Sequence, residues 1–203
     1  YEESQKGETF FETHTTDLKE TLTAFSSNVS FFTREEALRL DIKDYEAIFI
    51  DFAYLKHDIN FFESIKEHAY NAHVNLYQVE TNVFVPVLKA SDHEEYGAYT
   101  IRPKINKLLS RYEEEVLVSY QMTAGEKKAW QVFESFVINK LPHYDQRNDP
   151  TKTFTSMLSL YLKYGLISPV SIYHALKNNH HDTKEAFLEE LIIRRELAYN
   201  FVY

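Results

Sequence analysis

The chain has 203 residues, 44% of them apolar and 15% aromatic, which is ample for a buried core in one large or two small domains. A net charge of −9 excludes a broadly basic nucleic-acid surface, and the lack of any cysteine excludes disulfides and thiolate metal sites. No apolar run approaches the ~20 residues of a membrane span and no leader-like segment opens the sequence, so the expectation is no membrane and a cytoplasmic location, or a nuclear one in a eukaryote.

In chain order, Phe11, Leu18, Leu22 and Phe25 recur at helical spacing, and Asn28 to Phe32 form a short aromatic and β-branched run that predicts a strand. Ala47 to Phe52 and Val74 to Val79 read as two further strands, with helical spacing between them through Ile59, Phe62, Ile65 and Ala69. Strand, helix, strand predicts a βαβ unit and a parallel sheet. No glycine-rich phosphate loop accompanies it. From about Pro103 onward the strand signal ends, and the spacing predicts helices over 104–112, 124–140, 154–164, 169–177 and 183–201. The fold class read from this order is α/β followed by all-α, with domains at 1–118 and 119–203.

Three stretches carry chemistry. Tyr144 to Pro150 is a polar turn bearing Arg147. Thr155, Ser156 and Ser159 put three hydroxyls at the expected front of a helix, where free amides and the dipole favour an anion; an ordinary N-cap is the plainer alternative. The run 189–201, Glu-Glu-Leu-Ile-Ile-Arg-Arg-Glu-Leu-Ala-Tyr-Asn-Phe, is dense in charge. On α-helical spacing Phe187, Leu191, Arg194 and Ala198 share a face, and Glu190 can pair with Arg194 one turn on. The histidines, His174, His180 and His181 included, lack zinc-site spacing, and no metal is expected. Arg102, Lys104, Lys107 and Arg111 read as a solvated face, and Trp130 as core.

The 189–201 run resembles the E-E-L-x-x-R-R-E-L-x-x-N-F element of class II cyclobutane-dimer DNA photolyases. Thr155, Ser156, Leu158, Ser159, Tyr161, Leu162, Gly165, Ile167 and Ser168, preceded by Tyr144, Arg147 and Pro150, are similar to the flavin-phosphate stretch of that family. Leu160, Lys163 and Met157 depart from the class II form, which has proline, histidine and asparagine there. A further likeness covers Val79 to Val87, Ala90 to Tyr96 and Thr100 to Ile105, with His93 in place of a lysine.

The resemblance implies an incomplete Rossmann-like domain followed by the first part of a helical FAD-binding domain, and it leaves an antenna chromophore open. It also implies that Tyr144, Thr155, Ser156, Leu158 and Ser159 contact FAD, that Arg194 lies beside the flavin, and that Glu190 hydrogen-bonds a pyrimidine dimer in damaged DNA during light-driven repair by a monomer. The alternatives are a blue-light receptor without repair activity and a truncated, inactive product, since the chain opens on Tyr1 and stops at Tyr203 inside a motif.

Overall fold

The computed structural model describes residues 5–25, 28–112 and 122–203. In chain order they form α1 (Gln5–Phe25), α2 (Arg34–Ala37), β1 (Ala47–Asp51), α3 (Lys56–Ala72), β2 (Asn75–Val79), α4 (Val87–Ala90), α5 (Ala98–Tyr112) and α6 (Ala124–Asn139). A 3-10 turn (Leu141–Gln146), α7 (Ser159–Lys163), α8 (Pro169–Leu176), α9 (Lys184–Leu188), a π turn (Glu189–Arg194) and α10 (Arg195–Val202) complete the order. The α/β-then-helical sequence of elements is as expected. Among the described residues no helix is long and apolar enough to cross a membrane.

By packing, the chain divides into one unit of Tyr1–Val29 with Glu113–Ile192 and another of Ser30–Tyr112 with Ile193–Tyr203. Set beside a single cut at 118, this groups the first helix with the helical part and the final stretch with the α/β part. The expected boundary falls in 113–121, outside the described residues.

In the α/β unit β1 and β2 pair in parallel, Ala47 opposite Asn75 through Asp51 opposite Val79. The crossover between them is α3. Ile48 and Leu76 point to the face where Ile42, Ala69 and Val74 form a core, as the two-residue pleat requires. The other face carries Phe49 stacked on Tyr77, centroids 5.2 Å apart. Asn28 to Phe32 is not a strand: it joins no ladder, and Phe32 is half exposed. Thr33 instead starts α2 as a capping box with Glu36, whose carboxyl group is held below its ordinary pKa by the Thr33 amide and hydroxyl.

The helix expected from Lys104 begins six residues earlier, at Ala98, and carries Pro103 within it. Lys104 is not on a solvated face. Its ammonium closes on the buried carboxylate of Glu95, and its Nζ lies 3.0 Å from Ser91 Oγ, which itself donates to Glu95 at 2.8 Å. Hydrogen bonding from Lys104 first, then from Thr100 and Ser91, holds the Glu95 pKa down at about 2 against the opposing effect of burial. Asn200 ties α10 to this cluster: its Oδ1 accepts from the Glu95 amide at 2.7 Å and its Nδ2 donates to His93 O at 3.0 Å. The second likeness noted in the sequence, through Ser91, Glu95 and Lys104, is thus a polar buttress.

In the helical unit α6 opens on a Thr123/Glu126 capping box, and Asp17 of α1 accepts from the Gly125 amide at 2.9 Å, placing an anion at the helix start. Ala129, Phe133, Phe136, Leu141, Leu158, Ile172, Leu176 and Phe187 are its buried centre. Trp130 packs edge-on to Phe133.

Candidate functional site

Lys140 ends α6, and Pro142 near the start of the following 3-10 turn fixes the backbone while lacking a donor the turn does not need. The turn buries Tyr144 between Phe136 and Phe187, both edge-on, with centroids 5.6 and 5.4 Å away. Burial pushes the Tyr144 phenol up, the Arg147 charge opposes this, and the Glu190 charge adds to it. Arg147 lies 4.8 Å above the Tyr144 ring, and its Nη2 donates to Glu190 Oε1 at 2.9 Å. Residues 43 positions apart therefore meet in one partly buried cluster. Thr183 Oγ1 donates to Leu141 O, tying the start of α9 to the same turn.

The hydroxyl stretch differs from its expected form. A helix was expected from Phe154, but the chain from Lys152 to Leu158 is irregular and α7 is only five residues long, starting at Ser159. Thr155 and Ser159 are exposed, Ser156 is half-buried with its Oγ accepting from the Leu158 amide at 3.4 Å, and Leu158 is fully buried. Leu158 thus anchors the loop by its side chain. Lys140 Nζ reaches Thr155 O at 3.4 Å, and His143 lies 5.1 Å from Phe154, so this loop abuts the 3-10 turn.

Met157 has φ +60, the left-handed region in which an L side chain crowds its own backbone. Asparagine, the class II residue at this place, tolerates that conformation. Met157→Asn is expected to stabilise the chain by about 1 kcal/mol; an unchanged urea midpoint would rule the strain out. Gly165 has φ +70 with open space where a β-carbon would stand, so Gly165→Ala is expected to cost about 1 kcal/mol from backbone strain alone, read from the same titration. Ser168, also part of the likeness, caps α8 by accepting from the Val170 and Ser171 amides.

In the last helix the expected α-helical stripe gives way at the π turn. Of the four residues expected to share a face, Phe187 and Leu191 are buried but Arg194 and Ala198 are exposed, and the buried positions run on through Ile192, Ile193, Glu196 and Asn200. A wider turn adds a residue and shifts the phase, a feature frequent at functional sites. Three successive buried residues, Leu191 to Ile193, are more than a single α-helical face accommodates, and this is the signal that the simple periodicity overlooked. The partnership of Arg147 with Glu190 has no signature in the local sequence pattern. Arg194 belongs to the other unit, and Arg195 donates through Nε to Asn82 O at 3.0 Å. Among the described residues no group of three or more His, Asp or Glu could hold a metal.

No family model matches the chain. It is 37% identical over 172 residues to a deoxyribodipyrimidine photo-lyase of Methanothermobacter thermautotrophicus, covering 70% of this chain and 38% of that protein. Those of Potorous tridactylus and Oryza sativa are 27% and 31% identical, covering 77% and 64% of this chain and 36% and 34% of their own lengths. The chain belongs to the photolyase family. It spans between a third and two-fifths of the length of these curated relatives. In fold, it is similar to a bacterial class III photolyase from Agrobacterium tumefaciens, with a TM-score of 0.60 at 18% identity over 84% of this chain and 44% of that one.

Proposed function

We propose that this photolyase-family chain serves light-driven repair of cyclobutane pyrimidine dimers in DNA, in the class II form and with FAD as cofactor. The observation that carries the reading is the Arg147–Glu190 contact, which joins the turn after α6 to the charged motif of the last helix. The loop suits the phosphate end of FAD: Thr155 and Ser159 present exposed hydroxyls, Met157 reverses the backbone so that consecutive amides can converge, and the Lys140 ammonium stands at Thr155. Tyr144, Thr155, Ser156, Leu158 and Ser159 would hold the cofactor and Arg194 would lie beside its flavin. Bound reduced FAD supplies, on excitation, the electron that opens the cyclobutane ring and is then returned.

The chain's own part is to place groups around the dimer. Glu190 is the residue set to hydrogen-bond it, and Arg147 orients the Glu190 carboxylate. Damaged bases leave the stack at a cost of a few kcal/mol, which favours them over intact pairs. The working form is a monomer in the cytoplasm, or in the nucleus of a eukaryote. A cavity of about 430 Å³ at the carboxyl ends of β1 and β2, walled by Phe52, Tyr54, Phe61, Phe62 and Tyr199, is the pocket that would take an antenna chromophore if one is bound.

The deciding experiment grafts this segment in place of the matching 172 residues of the Methanothermobacter relative. Blue light should then restore thymine dimers in an oligonucleotide to monomers; a folded, flavin-loaded graft that leaves them intact would overturn the reading. The 203-residue chain alone is expected to bind FAD weakly or not at all, because family members carry their isoalloxazine contacts on later helices. Stoichiometric yellow flavin on this chain would contradict that. Binding of damaged duplex by the graft should fall steeply with salt, since with a net charge of −9 in this segment it relies on local Lys and Arg contacts.

A further inference from the structure

Glu196 is a charged residue type at 1% exposure, on the inner side of α10. Its Oε1 accepts from the Phe84 amide at 2.6 Å, while Oε2 is buried without a hydrogen-bond partner among the described residues. The segment it holds, between β2 and α4, carries a second carboxylate: Glu80 Oε1 accepts from Tyr54 OH at 2.8 Å and from the Val87 amide at 3.0 Å. Arg195 fastens the same segment through Asn82 O. A loop of the α/β unit is thus pinned by two carboxylates and a guanidinium, and one carboxylate is only half satisfied.

We propose that Glu196 is a proton-controlled latch, which holds the Glu80–Pro86 segment on α10 while its carboxyl group is neutral and loosens it when that group ionises.

An ionised Glu196 adds a buried charge with one orphaned oxygen and faces like charge on Glu80. The groups around it are Arg195 and Tyr199 on its own helix, Glu80 on the loop, Tyr54 after β1, and on the α5 side the Glu95–Lys104 pair beside Asn200. Burial pushes the Glu196 pKa up to about 7; the Phe84 and Val85 amides and the Arg195 charge oppose this, and Glu80 adds to it. The sign follows from linkage. A carboxyl whose pKa is raised by folding binds its proton more tightly in the folded chain, so its contribution to stability is complete below the ordinary carboxylate range and is lost as pH rises through about 7. Glu95, held down at about 2, titrates well below this window.

The test is an amide-shift titration of the 203-residue chain from pH 5.5 to 8.5 by NMR, with thermal unfolding at each pH. The Phe84 amide should titrate with a midpoint near 7, and the melting temperature should fall from pH 5.5 to about 7 and level off above it. In Glu196→Gln both should be flat. In Glu80→Gln the Phe84 midpoint should move to lower pH, because a like charge has been removed, and this variant decides the matter if Glu196→Gln does not fold. A flat Phe84 signal in the unsubstituted chain, a titration that survives Glu196→Gln, or an unmoved midpoint in Glu80→Gln would each overturn the latch.

Discussion

Glu190→Gln, made in the graft, is expected to reduce dimers repaired per absorbed photon about tenfold, equivalent to roughly 1.4 kcal/mol of lost transition-state stabilisation. The Glu190 carboxylate can accept from an N–H of the thymine and so hold the dimer against the Arg147 guanidinium, whose positive charge complements the negative charge that develops on the thymine as the ring opens. Glutamine keeps the shape but replaces the charged acceptor with a neutral amide and weakens the hold of Arg147, which retains its place over the Tyr144 ring. Because the Arg147–Glu190 pair is partly solvated, stability should change by no more than about 1 kcal/mol and flavin content should be unaffected. Loss of flavin or unfolding, with repair per folded molecule intact, would make Glu190 a structural residue.

Phe136→Ala should have the largest effect on stability, about 4 kcal/mol by loss of a buried aromatic and the cavity left behind. Phe136 is 1% exposed, 4.8 Å from the Phe187 ring and edge-on to Tyr144, so its removal also frees the 3-10 turn that aims Arg147 at Glu190. Urea unfolding of the 203-residue chain gives the number directly. A cost below about 1 kcal/mol would mean that the aromatic cluster is not the centre of the helical unit.

The βαβ unit was legible because Ala47 to Phe52 and Val74 to Val79 are apolar runs of strand length on either side of a clean helical period. The strand read at Asn28 to Phe32 failed because aromatic and β-branched composition carries no information about whether a neighbouring strand is there to pair with. At the candidate site, the motif stretches led to Tyr144, Glu190 and the hydroxyl loop, but not to their geometry. The helix expected over Phe154 to Leu158 required ordinary backbone angles, whereas Met157 is left-handed and delays the helix to Ser159. The π turn was hidden for a related reason: 3.6-residue periodicity presumes an unbroken α-helix, and one inserted residue exposed Arg194 and buried Glu196. The partnership of Arg147 with Glu190 spans 43 residues and could come only from the assembled unit.

The α/β unit is not contiguous, and this orders its birth on the ribosome. Residues 30–112 pack with 193–203, which supply Glu196 to the Phe84 amide, Asn200 to Glu95 and His93, and Tyr199 to the Tyr54 ring. Translation at about 5–20 residues per second leaves roughly 4–16 s between the synthesis of the two segments. Through that interval the α/β part is a nascent intermediate, with the groove for α10 unfilled and the contacts of α10 to the Phe84 and Glu95 amides not yet made. Its final closure is a slow, non-local step that trails the growth of the polypeptide, and this is the interval in which a chaperone or a protease would find it.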